Sequence, residues 1–367
     1  MTEFQQVWDR YEAWQPTAGM VYRYRRTYFP TMTLEQVQAR EAEIAPFPDH
    51  PGRMELQTQR RRLEVGPSVI EFQVWWEGAG AFRLNQTFVT EPGSDAPHLT
   101  WLDQVASPDS SWRLAGPTLN LDAPIASGQL SVFDPAPAVP DENSPESSFV
   151  EAHRAIGMLV TGGFVRPYIS FVEPSGASWN GEVLVGAAAP SGERQVPSRR
   201  FLLRRVVDAG APEPALRTER IEIDPSAPGA GDGWTMQFTQ WRLDPVLDGW
   251  VAGRVDKVSP QGRVLERFEF VDTRPLEAGE FSAVTRTPTP DGVDAIRGEY
   301  VYGSVMDNRR GVENFTVITP DGPVVAPLPS RAGRVTTVPR WLSWTGWGAA
   351  GVLIATLVGI RVWRGRS

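Results

Sequence analysis

Hydrophobic and polar residues alternate strictly in the stretch VIEFQVWW, where Ile70, Phe72, Val74 and Trp76 take every second position. A period of two places these side chains on one face of a β-strand and the residues between them on the other face. The stretches RMELQTQRRRLEV and AFRLNQTFV flank it, separated from it by the turn-forming segments GPS and EGAG. The pattern therefore predicts a three-stranded meander.

Short strands are also predicted on both sides of this meander. They are MVYRYRRTYF, HLTWLDQV, SSWRLAG, GQLSVF, GWVAGRVDKV and RVLERFEFVD. The segment SPQG between the last two has proline second and glycine fourth, which suits a type I turn that closes a hairpin.

Helical periodicity appears at the start of the chain and in two later segments. The first segment, TEFQQVWDRYEAW, has apolar residues at three- and four-residue steps, so we expect one side of this helix to pack against a sheet. In the second, TLEQVQAREAEI, Thr33 and Gln36 have the spacing of a capping box. The third is expected to begin near Pro145 and to direct Ile156 and Leu159 into the core.

The end of the chain has the character of a membrane span. No charged residue occurs from Trp341 to Ile360, and this length crosses a bilayer as a helix. Tryptophans mark both ends of the run, as interfacial aromatic residues do: Trp341, Trp344, Trp347 and Trp363. The sequence predicts a transmembrane anchor in preference to a buried C-terminal helix, because a core helix is seldom apolar all round.

Small residues within this span recur at four-residue spacing, at Gly351, Ala355 and Gly359. They lie on one face of a helix and allow a second helix to approach closely. This spacing makes a homodimer through the span one possible assembly.

The side of the membrane is not fixed by charge, since three arginines precede the span and three follow it. The first residues, MTEFQQVWDRYEAW, lack the basic and apolar regions of a signal peptide. One interpretation is a tail-anchored protein with a cytoplasmic body. The other, which we prefer as an expectation, is an extracytoplasmic body.

Composition narrows the class of function. A formal net charge of −8 argues against a nucleic-acid partner, which would require a basic surface. The absence of cysteine excludes disulfides, thiolate metal sites and cysteine nucleophiles. The three histidines, His50, His98 and His153, are not at metal-ligand spacing. We expect no cofactor, no metal and no enzymatic activity, although a catalytic pair of carboxylates depends on the fold and stays open.

Tryptophan is abundant, with fourteen in the chain. Several of them fall in strands, and five are the candidate ligand-binding residues: Trp75, Trp76, Trp234, Trp241 and Trp250. Trp75 and Trp76 are adjacent, so they must lie on opposite faces of their strand. If one face is core, the other is either covered by helices of the protein itself or binds something apolar.

The order of these elements resembles that of the outer-membrane lipoprotein carrier and receptor proteins, the LolA/LolB-like group. The resemblance covers roughly residues 1–275 and rests on the opening amphipathic helix, the meander and the late hairpin GRVDKVSPQGRVLERFEFVD. It implies a mainly β (α+β) fold, with a strongly curved, half-barrel-like antiparallel sheet whose concave side is filled by a few helices. It also implies a role in holding a lipid or acylated segment in the cell envelope. The predicted anchor departs from this pattern, because an anchored protein cannot shuttle.

The expected organisation has five parts. They are a curved antiparallel β domain with helices (1–280), a strand-rich extension of the sheet or small second unit (281–325), a linker (326–340), a transmembrane helix (341–360) and a basic tail (361–367). We expect a single-pass envelope protein that binds or senses an apolar ligand. The alternatives are a structural or protein-interaction module without a ligand cavity, and a hydrolase with dispersed carboxylates.

Overall fold

The computed structural model describes most of the chain as far as Pro327. The described residues are 2–12, 16–78, 81–89, 99–115, 129–134, 156–160, 172–190, 198–206, 215–223, 233–287, 304–307, 309, 314–319 and 322–327. The chain divides into two compact units, Met1–Ala326 and Pro327–Ser367. Of the second unit only Pro327 is described, so the architecture below is that of the first.

Five helices and sixteen strands are described. The helices are α1 (Glu3–Glu12), α2 (Leu34–Ile44), α3 (Arg53–Glu64), α4 (helical residues 156–160) and α5 (Glu280–Val284). The strands are β1 (Met20–Tyr28), β2 (Ser68–Gly78), β3 (Ala81–Val89), β4 (Leu99–Ala106), β5 (Ser111–Ala115), β6 (Gln129–Phe133), β7 (Val172–Asn180), β8 (Val183–Pro190), β9 (Arg199–Val206), β10 (Ala215–Ile223), β11 (Thr235–Asp244), β12 (Gly249–Val258), β13 (Val264–Pro275), β14 (Ser304–Asp307), β15 (Asn314–Thr319) and β16 (Gly322–Pro327).

All sixteen strands belong to one large, curved and unclosed sheet, so the predicted mainly β, curved fold is confirmed. The strand order is β16-β15-β14-β6-β5-β4-β3-β2-β1-β13-β12-β11-β10-β9-β8-β7. The expectation of a purely antiparallel sheet is wrong at one place, where β14 pairs with β6 in parallel. Parallel neighbours need a long connection, and the whole β7–β13 half of the sheet lies between these two strands in sequence.

The prediction that RMELQTQRRRLEV is a strand of the meander is also wrong, because this stretch forms α3. Leu56 and Gln59 are buried on one side of the helix, and Leu63 is half-buried. Their three- and four-residue steps are helical, and arginine, glutamine, glutamate and leucine all favour helix. With α2, α3 forms a helical hairpin around its own small core, which includes Val37 and Ile44.

Local predictions for the other elements are confirmed. Thr33 and Gln36 form the predicted capping box at the start of α2. The amide of Gly262 donates to the carbonyl oxygen of Ser259 at 2.9 Å, which closes the turn between β12 and β13. Residues 156–160 are helical, and Ile156 and Leu159 are buried. The beginning of this predicted helix lies outside the described residues.

The two faces of the sheet are covered differently. We call the face that carries Tyr22, Phe72 and Val74 the inner face, because residues of α1 and α4 share its core. We call the opposite face the outer face, where α5 packs through Phe281 on Trp75. Side chains alternate between the faces along each strand except at bulges, so the register of the sheet assigns the described side chains to one face or the other.

Helix α1 is held on strands β8 and β9. Phe4 and Trp8 pack on Phe201 with ring centroids 5.8 and 5.7 Å apart. The ring of Phe4 lies directly over Gly186, so a β-carbon at that position would overlap the ring. At its first turn Glu3 accepts hydrogen bonds from the indole of Trp179 at 3.0 Å and from Arg205 at 3.2 Å.

Candidate functional site

The inner face is an aromatic and aliphatic surface that runs across the centre of the sheet. In one cross-strand row Tyr22 lies opposite Val74, and Val74 lies opposite Leu84. In the next row Tyr24 and Phe72 stack with ring centroids 4.6 Å apart and planes 9° apart. All five side chains are almost fully buried. This surface and the residues of α1 and α4 on it form the largest apolar cluster among the described residues.

Trp76 belongs to this inner core. It lies opposite Met20 on β1 and Phe82 on β3, and its ring is stacked on Phe82 with centroids 6.1 Å apart. Only 2% of its surface is exposed. A ligand therefore reaches Trp76 only if the material that covers it moves aside.

Trp241 lies at the margin of the same core and is only half-buried. Gln240, just before it, has a positive φ of 57° at an irregularity in β11, and such bulges redirect side chains. Gly253 makes room for this bulge, because a β-carbon there would stand 2.7 Å from the carbonyl oxygen of Gln240. The indole of Trp241 stacks on Phe238 at 6.5 Å and donates to the carbonyl oxygen of Thr218 at 3.3 Å.

Trp234 is a second half-buried aromatic residue of this margin. The ammonium of Lys257 stands 4.9 Å from the centre of its ring, within the range of a cation–π contact. We call the half-buried apolar residues that border the inner core its aromatic margin. They are Tyr28, Val160, Leu216, Trp234, Trp241 and Leu247.

Trp250 does not join the described cluster of the inner core. The guanidinium of Arg217 lies over the ring of Trp250, with its central carbon 3.4 Å from the ring centroid. Trp250 is half-buried and lies opposite Leu243, which is 56% exposed. The structure therefore brings Trp76, Trp234 and Trp241 to one apolar cluster and leaves Trp250 beside it.

Trp75 lies on the outer face, as adjacency to Trp76 requires. Helix α5 covers it through Phe281, and its indole donates to Glu280 at 3.0 Å. The guanidinium of Arg83 stands 4.5 Å from the centre of its ring. Of the two possibilities for this second face, coverage by the protein itself is the one observed at Trp75.

Beneath α5 the outer face carries a buried ion pair. Arg83 donates to both carboxylate oxygens of Asp103, at 2.9 and 2.6 Å, and Asn85 donates to the same carboxylate at 3.1 Å. Arg83 also donates to the carbonyl oxygen of Val284 at 3.1 Å. Asp103 has no exposed side-chain surface, so its charge has to be stabilised by protein partners such as these.

On β4, β5 and β6 the inner face becomes polar. Beyond Leu84 the same row continues with Gln104, Arg113 and Ser131 on β4, β5 and β6. On these strands the apolar residues Trp112, Leu114 and Leu130 instead lie on the outer face, in a cluster of their own. We call Gln104, Arg113 and Ser131 the polar margin. Sequence reasoning missed it, although the alternation of Arg113 with Trp112 and Leu114 was visible.

His50 and Asp244 have structural partners close to them in sequence. Nδ1 of His50 accepts from the amide of Gly52 at 3.0 Å; His98 and His153 lie outside the described residues. Asp244 accepts from the amides of Val246 and Leu247 at 3.0 Å each, which is the geometry of a turn. In the described ranges, no group of three or more histidine, aspartate or glutamate residues could hold a metal ion.

The predicted anchor falls in the part of the chain that is not described, including Trp341, Trp344, Trp347, Gly351, Ala355, Gly359 and Trp363. Among the helices that are described, none combines the length and the apolar character needed to cross a membrane.

Two solved structures are similar to this chain. One, described as a "putative outer membrane lipoprotein-sorting protein domain" from Vibrio parahaemolyticus, has 11% identity and a TM-score of 0.33 over 77% of this chain and 97% of that one. The other, a DUF1329 family protein from Desulfovibrio piger ATCC 29098, has 9% identity and a TM-score of 0.37 over the same shares. The description of the first structure names lipoprotein sorting, as does the group that the sequence resembles. No family model matches the chain, and no curated protein matches it significantly in sequence.

Proposed function

We propose that this chain is a non-enzymatic module of the cell envelope that binds a lipid or an acylated segment on the inner face of its sheet. The observation that carries the proposal is the aromatic margin. There Trp234 and Trp241 extend a buried apolar core to solvent without a break. An apolar surface that is contiguous from core to solvent gives a hydrophobic ligand an entry point and a continuous path.

The physical basis is the removal of apolar surface from water. Tryptophan rings offer large, rigid contact area with little loss of conformational freedom. Trp241 is fixed by its stack on Phe238 and its hydrogen bond to Thr218. A ligand that enters beside Trp241 meets a preformed surface. It extends towards Trp76 when α4 moves aside. In this proposal Trp75 and Trp250 support the sheet and do not touch the ligand.

The proposal places the module at a membrane through the predicted span at residues 341–360, with the body on the extracytoplasmic side. The uncharged run and its flanking tryptophans support this anchor. A homodimer through Gly351, Ala355 and Gly359 is compatible with it. An anchored module would receive or present an apolar ligand at the membrane surface, since it cannot carry it away.

A second candidate function is that of a protein-interaction module, and it has its own support. At the tip of the α2–α3 hairpin Phe47 is 60% exposed and Met54 is 78% exposed. Arg53 holds this tip rigid by donating to the carbonyl oxygens of Ile44, Ala45 and Phe47 at 3.0–3.2 Å. Rigidly displayed apolar side chains are typical of docking sites.

Native mass spectrometry of the full-length chain, purified in a mild detergent and incubated with membrane phospholipid, tests the proposal. We expect one discrete added lipid mass that is lost in Trp241→Ala and in Trp234→Ala. Trp179→Ala is the matched control, because Trp179 is 41% exposed on β7 and lies outside the inner core. A mass that stays free of lipid would contradict the proposal and favour the interaction module, provided that thermal melting shows the variants folded.

A further inference from the structure

The polar margin contains a charged residue, Arg113, that forms no ion pair with the described residues. Trp112 and Leu114 are fully buried on the outer face. Because neighbours in a strand point to opposite faces, Arg113 between them must point to the inner face. Its neighbours across the strands are Gln104 on one side and Ser131 on the other. Arg113 therefore stands in the row that continues the apolar residues Tyr22, Val74 and Leu84.

Arg113 differs from the other arginines of the central sheet in its surroundings. Arg26 pairs with Glu266, Arg23 pairs with Asp272, and Arg83 pairs with Asp103. Within the described part of the chain, the guanidinium of Arg113 has no carboxylate partner, and no negative charge raises its pKa. Desolvation by the surrounding protein lowers the pKa of Arg113, although its side chain reaches solvent. Arg113 is exposed, so its guanidinium is accessible to a ligand from solvent.

We propose that Arg113 binds the anionic headgroup of the amphiphile whose acyl chain occupies the inner face. This inference rests on the proposed function and names the class of its ligand: a single- or double-chain lipid with a carboxylate or phosphate group. The guanidinium offers five donors in a planar fork, which suits such oxygens. Gln104 and Ser131 stand beside it as further polar side chains.

The spacing of the strands fits a headgroup and a chain on one surface. Two strand spacings, about 10 Å, separate Arg113 from Leu84, and four spacings, about 19 Å, separate it from Tyr22. An acyl chain held at Arg113 would extend over Leu84 and Val74, both fully buried, so the protein that covers them has to move aside. Trp234 and Trp241, three strands beyond β1, would then mark the entry to this surface. The chain supplies apolar burial, and the headgroup fixes which end of the ligand lies at β5.

Photolabelling separates the headgroup from the chain. The full-length chain is reconstituted in phosphatidylcholine vesicles and exposed to palmitic acid carrying a mid-chain diazirine, or to the uncharged methyl ester of the same probe. Labelling is measured on peptides of the inner-face strands, and we expect its half-saturation by the acid to need about tenfold more probe in Arg113→Gln. Labelling by the ester should be unchanged, and Arg113→Lys should restore part of the difference. Arg25→Gln is the matched control, since Arg25 pairs with Glu71 on the outer face.

The outcomes distinguish the two proposals. Equal labelling of wild type and Arg113→Gln by the acid would overturn the headgroup site while leaving the apolar site intact. Absence of labelling of the inner-face strands by both probes in the wild type would overturn the proposed function itself, whatever label residues 341–360 take up from the bilayer. Inorganic phosphate is added as a competitor, and we expect it to leave labelling unchanged. Displacement of the acid by phosphate alone would show a site for a free anion and would overturn the assignment to an amphiphile.

Discussion

Trp75 and Trp76 are neighbours in β2, yet each is buried in a different core. Trp76 stacks on Phe82 inside the inner face, whereas Trp75 lies under α5 and donates to Glu280. The sheet is therefore covered on both sides at β2. In the proposed function Trp75 is therefore a residue of the scaffold, and the ligand is assigned to the tryptophans of the inner face.

The contact between α5 and the sheet should depend on pH. In the folded protein the pKa of Glu280 is lowered from 4.5 to about 2, chiefly because Arg274 donates hydrogen bonds to it, with smaller contributions from the amide of Glu277 and the indole of Trp75. A lowered pKa stabilises the fold above the unfolded value and ceases to do so as the pH falls towards the folded value. Melting temperatures of wild type and Glu280→Gln should differ most near neutral pH and converge between pH 4.5 and about 2.

The control for this pH dependence is Trp75→Phe, which removes one of the donors to Glu280 and keeps the others. It should reduce the effect without abolishing it. A constant difference in melting temperature between wild type and Glu280→Gln across this range would show that Glu280 is not held as described.

Gly186 should not tolerate a side chain, because the ring of Phe4 occupies the space of its β-carbon. We expect Gly186→Ala to lower the free energy of unfolding by about 1–3 kcal/mol, measured by chemical denaturation. Gly176→Ala is the matched control, since nothing lies within 4 Å of a β-carbon there. Adding Phe4→Leu should recover part of the loss if the clash is its cause; equal effects at both glycines would contradict the docking of α1 on β8.

Breaking the buried pair of Arg83 and Asp103 should be costly. Asp103→Ala leaves Arg83 buried without its carboxylate, and we expect a loss of about 3–5 kcal/mol in the free energy of unfolding. Replacing both residues, in Arg83→Met with Asp103→Leu, should cost less than the single change, because no unpaired charge remains. A loss for Asp103→Ala as small as that of an exposed pair, about 1 kcal/mol or less, would show that the pair is open to solvent.

Arg53 should control the stability of the α2–α3 tip. Its guanidinium donates to three carbonyl oxygens at and just beyond the end of α2, so Arg53→Ala removes these side-chain hydrogen bonds. The carbonyl oxygens of Ile44 and Phe47 keep the amides of Phe47 and His50 as donors. We expect faster hydrogen exchange at the tip and a global loss of about 1–2 kcal/mol. The comparison is Arg61→Ala, on an exposed position of α3. Unchanged exchange in Arg53→Ala would argue against a rigid tip and so against its role in docking.

Local features were predictable from sequence wherever short-range physics decides them. The alternation in β2 and the capping box of Thr33 and Gln36 follow from spacing alone. Helix α3 was mistaken for a strand because its flanking turns resembled those of a meander, and its helical burial of Leu56 and Gln59 emerges only with the partner helix α2. A five-residue helix such as α5 gives too little periodicity to be recognised at all.

Contacts between residues far apart in the chain could not be predicted from the sequence. The pairing of β1 with β13 joins residues such as Arg23 and Asp272, and nothing in either strand alone specifies the other. The candidate site shares this limit. The five tryptophans were visible as a set, but only the register divides them into Trp76, Trp234 and Trp241 on one core and Trp75 on another. The position of Arg113 in the row that continues the apolar inner face became apparent only once the pairing of β4 with β5 was known.

The most direct measurement of the central claim is the position of a photoactivatable phospholipid on the full-length chain. The label, a diazirine in the acyl chain, is delivered in vesicles and mapped by peptide mass spectrometry. The account predicts label on α4 and on the inner-face strands next to Trp234 and Trp241, and its loss from those peptides in Trp241→Ala. Label confined to residues 341–360, to the tip at Phe47 and Met54 or to the outer face would contradict the claim that the inner face binds an apolar ligand.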